Sequence, residues 1–346
     1  MRRTRSTPLA VAALCASVAA GLTGGAAHAD PVVTPGPNDI VGVGSQTTGP
    51  LFNRFSTDYN AYLTSAGDTL SPRLYSWDAT GPAPIVPRAN ADTIARPSGA
   101  NSGLAVLDGS PSGIDFVRSD RAPQAGDLTS DIFVAFAKDA VSWAAKTGGN
   151  APANLTTAQL KSIYECTTTN WQQIDPALPN ATIKALLPQF ASGTRTFFLR
   201  AIGNGVPVTP GPCVTTGPVE NQGVDPVLND PDVVFPYSVG HFVGQVYGGY
   251  ATPTDAAGPL TVRTINGVAP ITPGHLLSPT FTTTAYGRVL FEVVRQAEWT
   301  ATDAHGTALR AIFGPAGWIC RNGAGSVKSY GFLPLPTGPC GSTVHA

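Results

Sequence analysis

Short apolar runs alternate along the chain with longer segments in which apolar residues recur every three or four positions. Residues 40–43, 114–117 and 132–137 form apolar-rich runs, which predict short strands buried within a sheet. Loops rich in Gly, Ser and Thr separate these runs from the segments with helical spacing. This alternation predicts an α/β fold with largely parallel sheets.

Five segments carry helical signals, one of them a short helix predicted at 239–246. The apolar residues within 51–59 fall on one helical face, and Thr156 with Gln159 three positions later forms a capping-box pattern. A further helix is predicted at 192–203. The longest helix candidate is 282–296, where four aliphatic side chains form an apolar stripe.

The first 29 residues have the pattern of a secretory signal. A basic start precedes an uncharged apolar stretch at 9–20, and a small-x-small tripeptide at 27–29 provides a cleavage site. The apolar stretch is too short to span a bilayer comfortably, and Cys15 lacks the small preceding residue of a lipidation site. We therefore expect 1–29 to be a cleaved signal peptide, 30–37 a flexible Pro-rich tail, and the mature protein to be secreted.

Composition narrows the class of protein. The chain has 346 residues, enough for about two domains, and only 12% of them are charged. The formal net charge is −1, and no Lys/Arg run lies outside the N-terminus. Because nucleic-acid binding requires a basic face, a nucleic-acid partner is not expected.

The cysteines predict disulfides. Removing the signal peptide leaves four: Cys166, Cys213, Cys320 and Cys340. An even number in an exported chain indicates two disulfides, with three connectivities open. Cys166–Cys213 with Cys320–Cys340 is favoured because each bond closes a moderate loop. A zinc site lacks the Cys-x-x-Cys pair that it would need.

The sequence offers little support for catalysis or a cofactor. A nucleophile elbow is absent, because the segment at 109–113 places Pro111 at its centre. The histidines of the mature chain are scattered, which gives no local pattern for a catalytic triad or a metal site. We predict a non-enzymatic protein without a metal or cofactor.

Three polar loops at predicted strand–helix junctions suggest anion binding. They are 44–48, 118–121 and 192–195, the last at a helix N-terminus whose free N–H groups and dipole favour an anion. A plain helix cap is the alternative for the last loop. In the second loop, Asp120 can only accept hydrogen bonds, which favours a ligand that carries a proton. An ion pair with Arg118 or Arg121 is the alternative for Asp120.

The order of these motifs resembles the phosphate-binding proteins of ABC phosphate importers. The most specific match is 155–164 (LTTAQLKSIY) followed by Thr-Asn-Trp at 169–171. The other segments that follow the family's order are 42–47, 114–120, 189–195 and 236–240. The matches together cover roughly residues 40–245.

The resemblance implies a two-lobed type 2 periplasmic-binding-protein fold with a ligand cleft between its α/β lobes. It implies a first lobe at 38–134 plus 272–346 and a second lobe at 135–271. The ligand-binding residues carried over by motif position are Ser45, Gln46, Thr47, Ser102, Asp120, Ser192, Gly193 and Thr194.

Two departures from the family pattern bear on the ligand. The family carries an Arg and an Asp just upstream of its Ser-Gly-Thr loop, where this chain has Pro188 and Phe190. Arg195 in the first turn of the predicted helix could replace the missing cation. The first loop has Gln46 where a hydroxyl residue is usual, and one fewer carboxylate weakens selection of a protonated phosphate over sulfate.

The leading hypothesis is a secreted, monomeric solute-binding protein for phosphate or a related tetrahedral oxyanion, with an ABC permease as its candidate partner. The alternatives are a secreted phosphoester hydrolase and a surface or adhesive module on the same scaffold.

Overall fold

The computed structural model describes residues 30–109 and 113–345, so the predicted signal peptide lies outside the described residues. Strands in this part of the chain are short apart from two. They are β1 (Ile40–Gly44), β2 (Leu74–Ser76), β3 (Phe116–Ser119), β4 (Asp131–Lys146), β5 (Asn154–Leu155), β6 (Lys184–Leu187), β7 (Thr215–Thr216), β8 (Val233–Ser238), β9 (Leu260–Val262), β10 (Thr264–Ile265), β11 (Gly287–Arg295), β12 (Leu333–Pro334) and β13 (Thr343–His345).

Helices are interspersed with the strands along the described chain. They are α1 (Gly49–Ser65), α2 (Ala100–Asp108), α3 (Thr157–Tyr164), α4 (Gly193–Ile202), α5 (Val239–Tyr247), α6 (Gln296–Thr300), α7 (Ala304–Phe313), α8 (Trp318–Asn322) and α9 (Ala324–Ser329). A 3-10 turn at Gln46–Thr48 joins β1 to α1. The α/β class predicted from the sequence is confirmed.

The 16-residue strand β4 joins two lobes through one continuous sheet. The strand order is β2-β1-β3-β11-β4-β8-β6-β7. The first part of β4 pairs with β11, and its last residues pair with β8 and β9. We call the part around β1, β2, β3 and β11 lobe I, and the part around β6, β7, β8 and β9 lobe II.

The sheet is mixed rather than largely parallel. Strand β1 runs parallel to β2 and β3, and β6 runs parallel to β7 and β8. The central strands β4 and β11 pair antiparallel to each other. The parallel prediction is therefore correct for the outer strands of each lobe and wrong for the centre.

Each lobe has its own apolar core. In lobe I, α1, α7 and α8 pack on the sheet through aromatic residues that include Phe52 and Phe116. In lobe II, Trp143, Trp171 and Tyr164, the last residue of α3, are completely buried in a core that includes side chains of α4. These two cores hold the ends of the parallel strands at the seam between the lobes.

The predicted helix at 282–296 is wrong, because most of this segment forms the strand β11. Residues 288 and 290–294 are buried, since β11 lies between β3 and β4, with residues of α1 and α7 packed on one set of its side chains and residues of α2 on the other. A strand buried on both sides has apolar residues at most positions, so the aliphatic residues of β11 match helical spacing by coincidence.

Other helix predictions are confirmed. Helix α3 begins with the predicted capping box, in which Thr156 accepts from the Gln159 backbone and the Gln159 side chain accepts from the Thr156 backbone. Helix α1 buries the predicted apolar face, and α4 begins directly after Ser192, which caps it.

The two disulfides join Cys166 to Cys213 and Cys320 to Cys340, which is the favoured pairing. Among residues 30–109 and 113–345, none of the helices combines the length and hydrophobicity that crossing a membrane requires.

Candidate functional site

The polar loops singled out in the sequence meet at the seam between the lobes. Lobe I contributes the turn after β1 and the loop after β3, which leave the carboxyl ends of neighbouring parallel strands. Lobe II contributes the N-terminus of α4, which follows β6. This edge of an open α/β sheet is where such proteins place ligands.

Two serine hydroxyls are oriented into this seam by helix capping. Ser45 Oγ accepts from the Thr47 backbone N–H at 3.1 Å, and Ser192 Oγ accepts from the Arg195 N–H at 3.0 Å. Because each hydroxyl accepts in its cap, its single proton is free to be donated across the seam. We call Ser45 Oγ, Ser192 Oγ and the Gln46 backbone N–H the anion cradle.

A carboxylate of the protein itself occupies the anion cradle. Glu220 Oε1 accepts from Ser45 Oγ at 2.8 Å and from the Gln46 N–H at 3.0 Å, and Glu220 Oε2 accepts from Ser192 Oγ. Glu220 is completely buried. The donors come from both lobes, so the bound carboxylate bridges the seam.

Burial and the neighbouring Asp120 raise the pKa of Glu220 to about 7, even though the two serine hydroxyls and Arg288 favour the charged form. Removing a carboxylate from water disfavours its charge, and a second carboxylate nearby adds repulsion. Near neutral pH, both the charged and the neutral form of Glu220 are therefore populated.

Asp120 forms a second acceptor centre beside the cradle. Its Oδ2 accepts from Thr47 Oγ1 at 3.0 Å, Thr194 Oγ1 at 2.9 Å and the Arg288 guanidinium at 3.0 Å. Its Oδ1 is buried without a hydrogen-bond partner among the described residues. Asp120 thus joins the first loop, α4 and β11.

Arg288 is the cation of the site. Its Nε and Nη2 donate to Asp139 Oδ2 at 2.9 and 2.7 Å, and its Nη2 also donates to Thr194 Oγ1 at 3.2 Å. Asp120 and Asp139 are completely buried, so the single guanidinium compensates two carboxylates in a medium where charge is costly.

Gly193 allows the close approach of α4 to Asp120. A Cβ at this position would lie 1.9 Å from Asp120 Oδ1, far inside contact distance. We expect Gly193→Ala to lower the free energy of unfolding by about 1–3 kcal/mol, because Asp120 is held by several hydrogen bonds and cannot move aside cheaply. Urea unfolding checks this. Gly325→Ala, where a Cβ meets open space within α9, is the control and should be neutral or slightly stabilising.

A buried histidine ties lobe II to the first loop. His241 Nδ1 lies 2.8 Å from the Thr47 carbonyl, and its Nε2 lies 2.9 Å from Asp255 Oδ1. Both partners only accept, so both ring nitrogens carry protons. Burial opposes this charge, but Asp255 and the Thr47 carbonyl raise the pKa of His241 overall.

A cavity of about 330 Å³ adjoins the cradle between the lobes. Gln46, Gln222 and Tyr250 lie in its wall together with the carboxylates of Asp78 and Asp255. Burial raises the pKa of Asp78 to about 6. Gln46 links the two spaces, because its backbone N–H belongs to the cradle and its side chain donates to Asp255 at 3.2 Å.

Two of the predicted ligand residues lie apart from the cradle. Ser102 Oγ donates to the Gly99 carbonyl at 3.1 Å, in the first turn of α2. The Arg195 guanidinium donates to the Pro188 carbonyl at 3.0 Å and Thr216 Oγ1 at 2.8 Å, and it lies over the Phe190 ring. The other predicted residues, Ser45, Gln46, Thr47, Asp120, Ser192, Gly193 and Thr194, converge on the seam.

Sequence reasoning missed Glu220 and Arg288. Glu220 lies in a loop without a motif, and Arg288 lies in the segment that was predicted as a helix. The available signal was the scarcity of charge: with only 12% charged residues, a Glu within a Gly/Pro/Asn-rich loop and an Arg at the start of an apolar run are conspicuous.

A separate acidic group lies in lobe I, away from the seam. Asp115, Glu298 and His305 place ligand-type atoms within 4.8 Å of one another. Arg88 pairs with Asp115, and Arg295 pairs with Glu298 at 2.9 Å. These arginines compensate the carboxylates, so the group is an ion-pair network.

Comparisons with known proteins agree with this architecture. The family model described as PBP superfamily domain matches residues 33–300. A search of curated proteins finds no match.

Solved structures share the fold over most of the chain. The candidate phosphate ABC transporter substrate-binding protein of Clostridium perfringens, solved with bound phosphate, is 15% identical with a TM-score of 0.57, and the match covers 86% of this chain and 100% of that chain. An ABC-type phosphate transport receptor of Vibrio cholerae is 16% identical with a TM-score of 0.55, over 86% and 100% of the two chains. A phosphate-binding protein of Stenotrophomonas maltophilia is 13% identical with a TM-score of 0.53, over 87% and 91%.

Proposed function

The chain belongs to the PBP superfamily, whose domain model matches residues 33–300, and from this membership we propose that it is a solute-binding protein for phosphate or a related tetrahedral oxyanion. The ligand site is the anion cradle at the seam of the lobes. The protein binds its ligand without chemical change.

The observation that carries this proposal is the carboxylate in the cradle. Ser45, Gln46 and Ser192 direct hydrogen-bond donors from both lobes at a single negatively charged group. The N-termini of the 3-10 turn and of α4 add favourable backbone dipoles. A hydrogen bond to a charged group contributes about 1.5–3 kcal/mol, so three such donors can hold an oxyanion.

The Asp120 side chain favours phosphate over sulfate as the ligand. Its buried Oδ1, which has no partner among the described residues, can accept a hydrogen bond from the O–H of hydrogen phosphate and would repel fully ionised sulfate. The structural neighbours include a substrate-binding protein solved with bound phosphate and a phosphate transport receptor, which supports the same choice.

The physiological setting follows from the same proposal. The signal pattern and the two disulfides support secretion, and the neighbours described as ABC transport receptors support an ABC permease as partner. We propose a monomer that carries its ligand in the closed cleft.

Thermal unfolding of the mature protein, freed of carried-over ligand, tests the proposal. The panel contains phosphate, arsenate, sulfate, a phosphonate and an organic phosphate, with amino acids as controls. Phosphate at a hundred times its Kd should stabilise the fold by about 2.7 kcal/mol, which raises Tm by several degrees. Two outcomes would refute oxyanion binding: a rise in Tm with amino acids only, or no rise in Tm with any of the anions.

Removal of single donors locates the site. In a Glu220→Ala background, where the carboxylate that accepts from the same hydroxyls is absent, Ser45→Ala and Ser192→Ala should each weaken phosphate binding about 10-fold to 100-fold, because each removes one hydrogen bond to a charged ligand. Ser162→Ala removes a hydroxyl that donates to the Gln159 carbonyl in α3 and serves as the matched control. Equal affinities in all three variants, measured by equilibrium dialysis, would place the ligand elsewhere.

A further inference from the structure

We propose that Glu220 is an internal ligand of the anion cradle, and that an external oxyanion binds by exchange with the Glu220 side chain. This inference rests on the proposed function, since it concerns how the same cradle becomes available. In this proposal, the Glu220 side chain sets the affinity of the cradle for an external oxyanion.

The donors of the cradle are fully used by Glu220. Ser45 and Ser192 each have one hydroxyl proton, and the Gln46 backbone has one N–H. All three are donated to the Glu220 carboxylate. An oxyanion cannot share these donors with Glu220, so its binding requires Glu220 to leave.

Charge leads to the same conclusion. Glu220, Asp120 and Asp139 are completely buried, and Arg288 forms ion pairs with the two aspartates. An added anion would place a fourth negatively charged group beside three buried carboxyl groups, which is costly in a site removed from water. If the Glu220 carboxylate leaves as the oxyanion enters, one negatively charged group replaces another and the net charge of the buried site changes little.

The loop that carries Glu220 is firmly held, so the exchange involves the side chain alone. Asn221 donates from Nδ2 to Thr47 Oγ1 at 3.0 Å and accepts at Oδ1 from the Ser238 N–H at 2.9 Å. The Glu220 N–H donates to Gln189 Oε1 at 2.9 Å. Gln222, two residues further along, lies in the wall of the 330 Å³ cavity, which provides space beside the loop.

An internal ligand lowers the apparent affinity for an external one. The apparent Kd equals the intrinsic Kd divided by the fraction of molecules with an open cradle. A tethered carboxylate also acts at an effective concentration of millimolar or more. We therefore expect Glu220→Ala to bind phosphate at least tenfold more tightly than the wild type.

The test compares the wild type, Glu220→Ala, Glu220→Gln and the control Glu165→Ala in the mature protein. Glu165 is exposed on lobe II, where it lies 3.7 Å from Lys161, so its removal deletes the same group without touching the cradle. Equilibrium dialysis measures inorganic phosphate. Thermal unfolding with sodium acetate, against sodium chloride at equal ionic strength, measures whether a free carboxylate refills the cradle.

The expected result is that acetate raises the Tm of Glu220→Ala by about 2–4 °C and leaves the wild type and Glu165→Ala unchanged. Glu220→Gln retains the volume of the side chain and should show an intermediate gain in phosphate affinity. If Glu220→Ala folds poorly, Glu220→Gln provides the comparison of phosphate affinity with the wild type.

The two readouts distinguish the internal ligand from the proposed function. Acetate rescue of Glu220→Ala without phosphate binding in any variant would support the internal ligand and refute the phosphate function. Phosphate binding that is equal or weaker in both Glu220 variants than in the wild type would overturn the internal ligand and leave the function intact. Absence of an acetate effect on Glu220→Ala would also overturn it.

Discussion

Replacement of Arg288 by methionine is expected to lower the free energy of unfolding by about 3–5 kcal/mol. The substitution leaves Asp120 and Asp139 buried without the guanidinium that bridges them at 2.7–3.0 Å. Breaking a buried ion pair by removing one partner is costly, because the remaining charge can neither hydrate nor pair. Urea unfolding at neutral pH measures the loss.

Two further variants, Arg288→Lys and Arg200→Met, test whether the loss of stability comes from the guanidinium that bridges the two carboxylates. Lysine keeps the charge but cannot reproduce the fork that reaches both carboxylates, so we expect an intermediate loss. Arg200 lies on the exposed face of α4, and Arg200→Met should change stability by less than about 0.5 kcal/mol. A loss below about 1 kcal/mol for Arg288→Met would contradict the role of the guanidinium as the charge partner of Asp120 and Asp139.

The second large effect is the part of the pH dependence of stability that comes from Glu220, which Glu220→Gln removes. Burial beside Asp120 raises the pKa of Glu220 from 4.5 to about 7 in the folded protein. A carboxyl with a raised pKa binds its proton more tightly when folded, so the stability it contributes is present below pH 4.5 and is lost as the pH rises through 7. The difference amounts to about 3 kcal/mol.

The measurement is the free energy of unfolding of the wild type and Glu220→Gln between pH 4 and pH 8. The wild type should lose stability relative to the variant across this interval. Other carboxyls with raised pKa values, such as Asp78 and Asp131, titrate in both proteins and cancel in the difference. Parallel profiles for the two proteins would mean that Glu220 does not titrate in the cradle; Glu165→Gln is the control.

Local signals in the sequence predicted the elements that present the site. The capping pattern of Thr156 and the Ser-Gly-Thr start of α4 depend on contacts within a few residues, and both are found. Gly/Ser/Thr loops after apolar runs likewise placed Ser45 and Asp120 at the seam. Such local patterns predict the structure correctly because they do not depend on the rest of the fold.

The wrong helix prediction and the two missed site residues concern contacts between residues that are distant in the sequence. The helix predicted at 282–296 is the strand β11, because pairing with β3 and β4 decides its conformation and both partners are far away in sequence. Glu220 contacts Ser45 across 175 residues, and Arg288 contacts Asp139 across 149. No pattern in one sequence encodes such pairs, so the contacts of Glu220 in the cradle and of Arg288 with the two aspartates are found only in the structure.

The most direct test of the account is a crystal structure of Glu220→Ala grown or soaked with inorganic phosphate. We expect phosphate oxygens within hydrogen-bond distance of Ser45 Oγ, the Gln46 N–H and Ser192 Oγ, at the position of the wild-type carboxylate. Phosphate bound elsewhere, or a cradle that stays free of anion at saturating phosphate, would contradict the account.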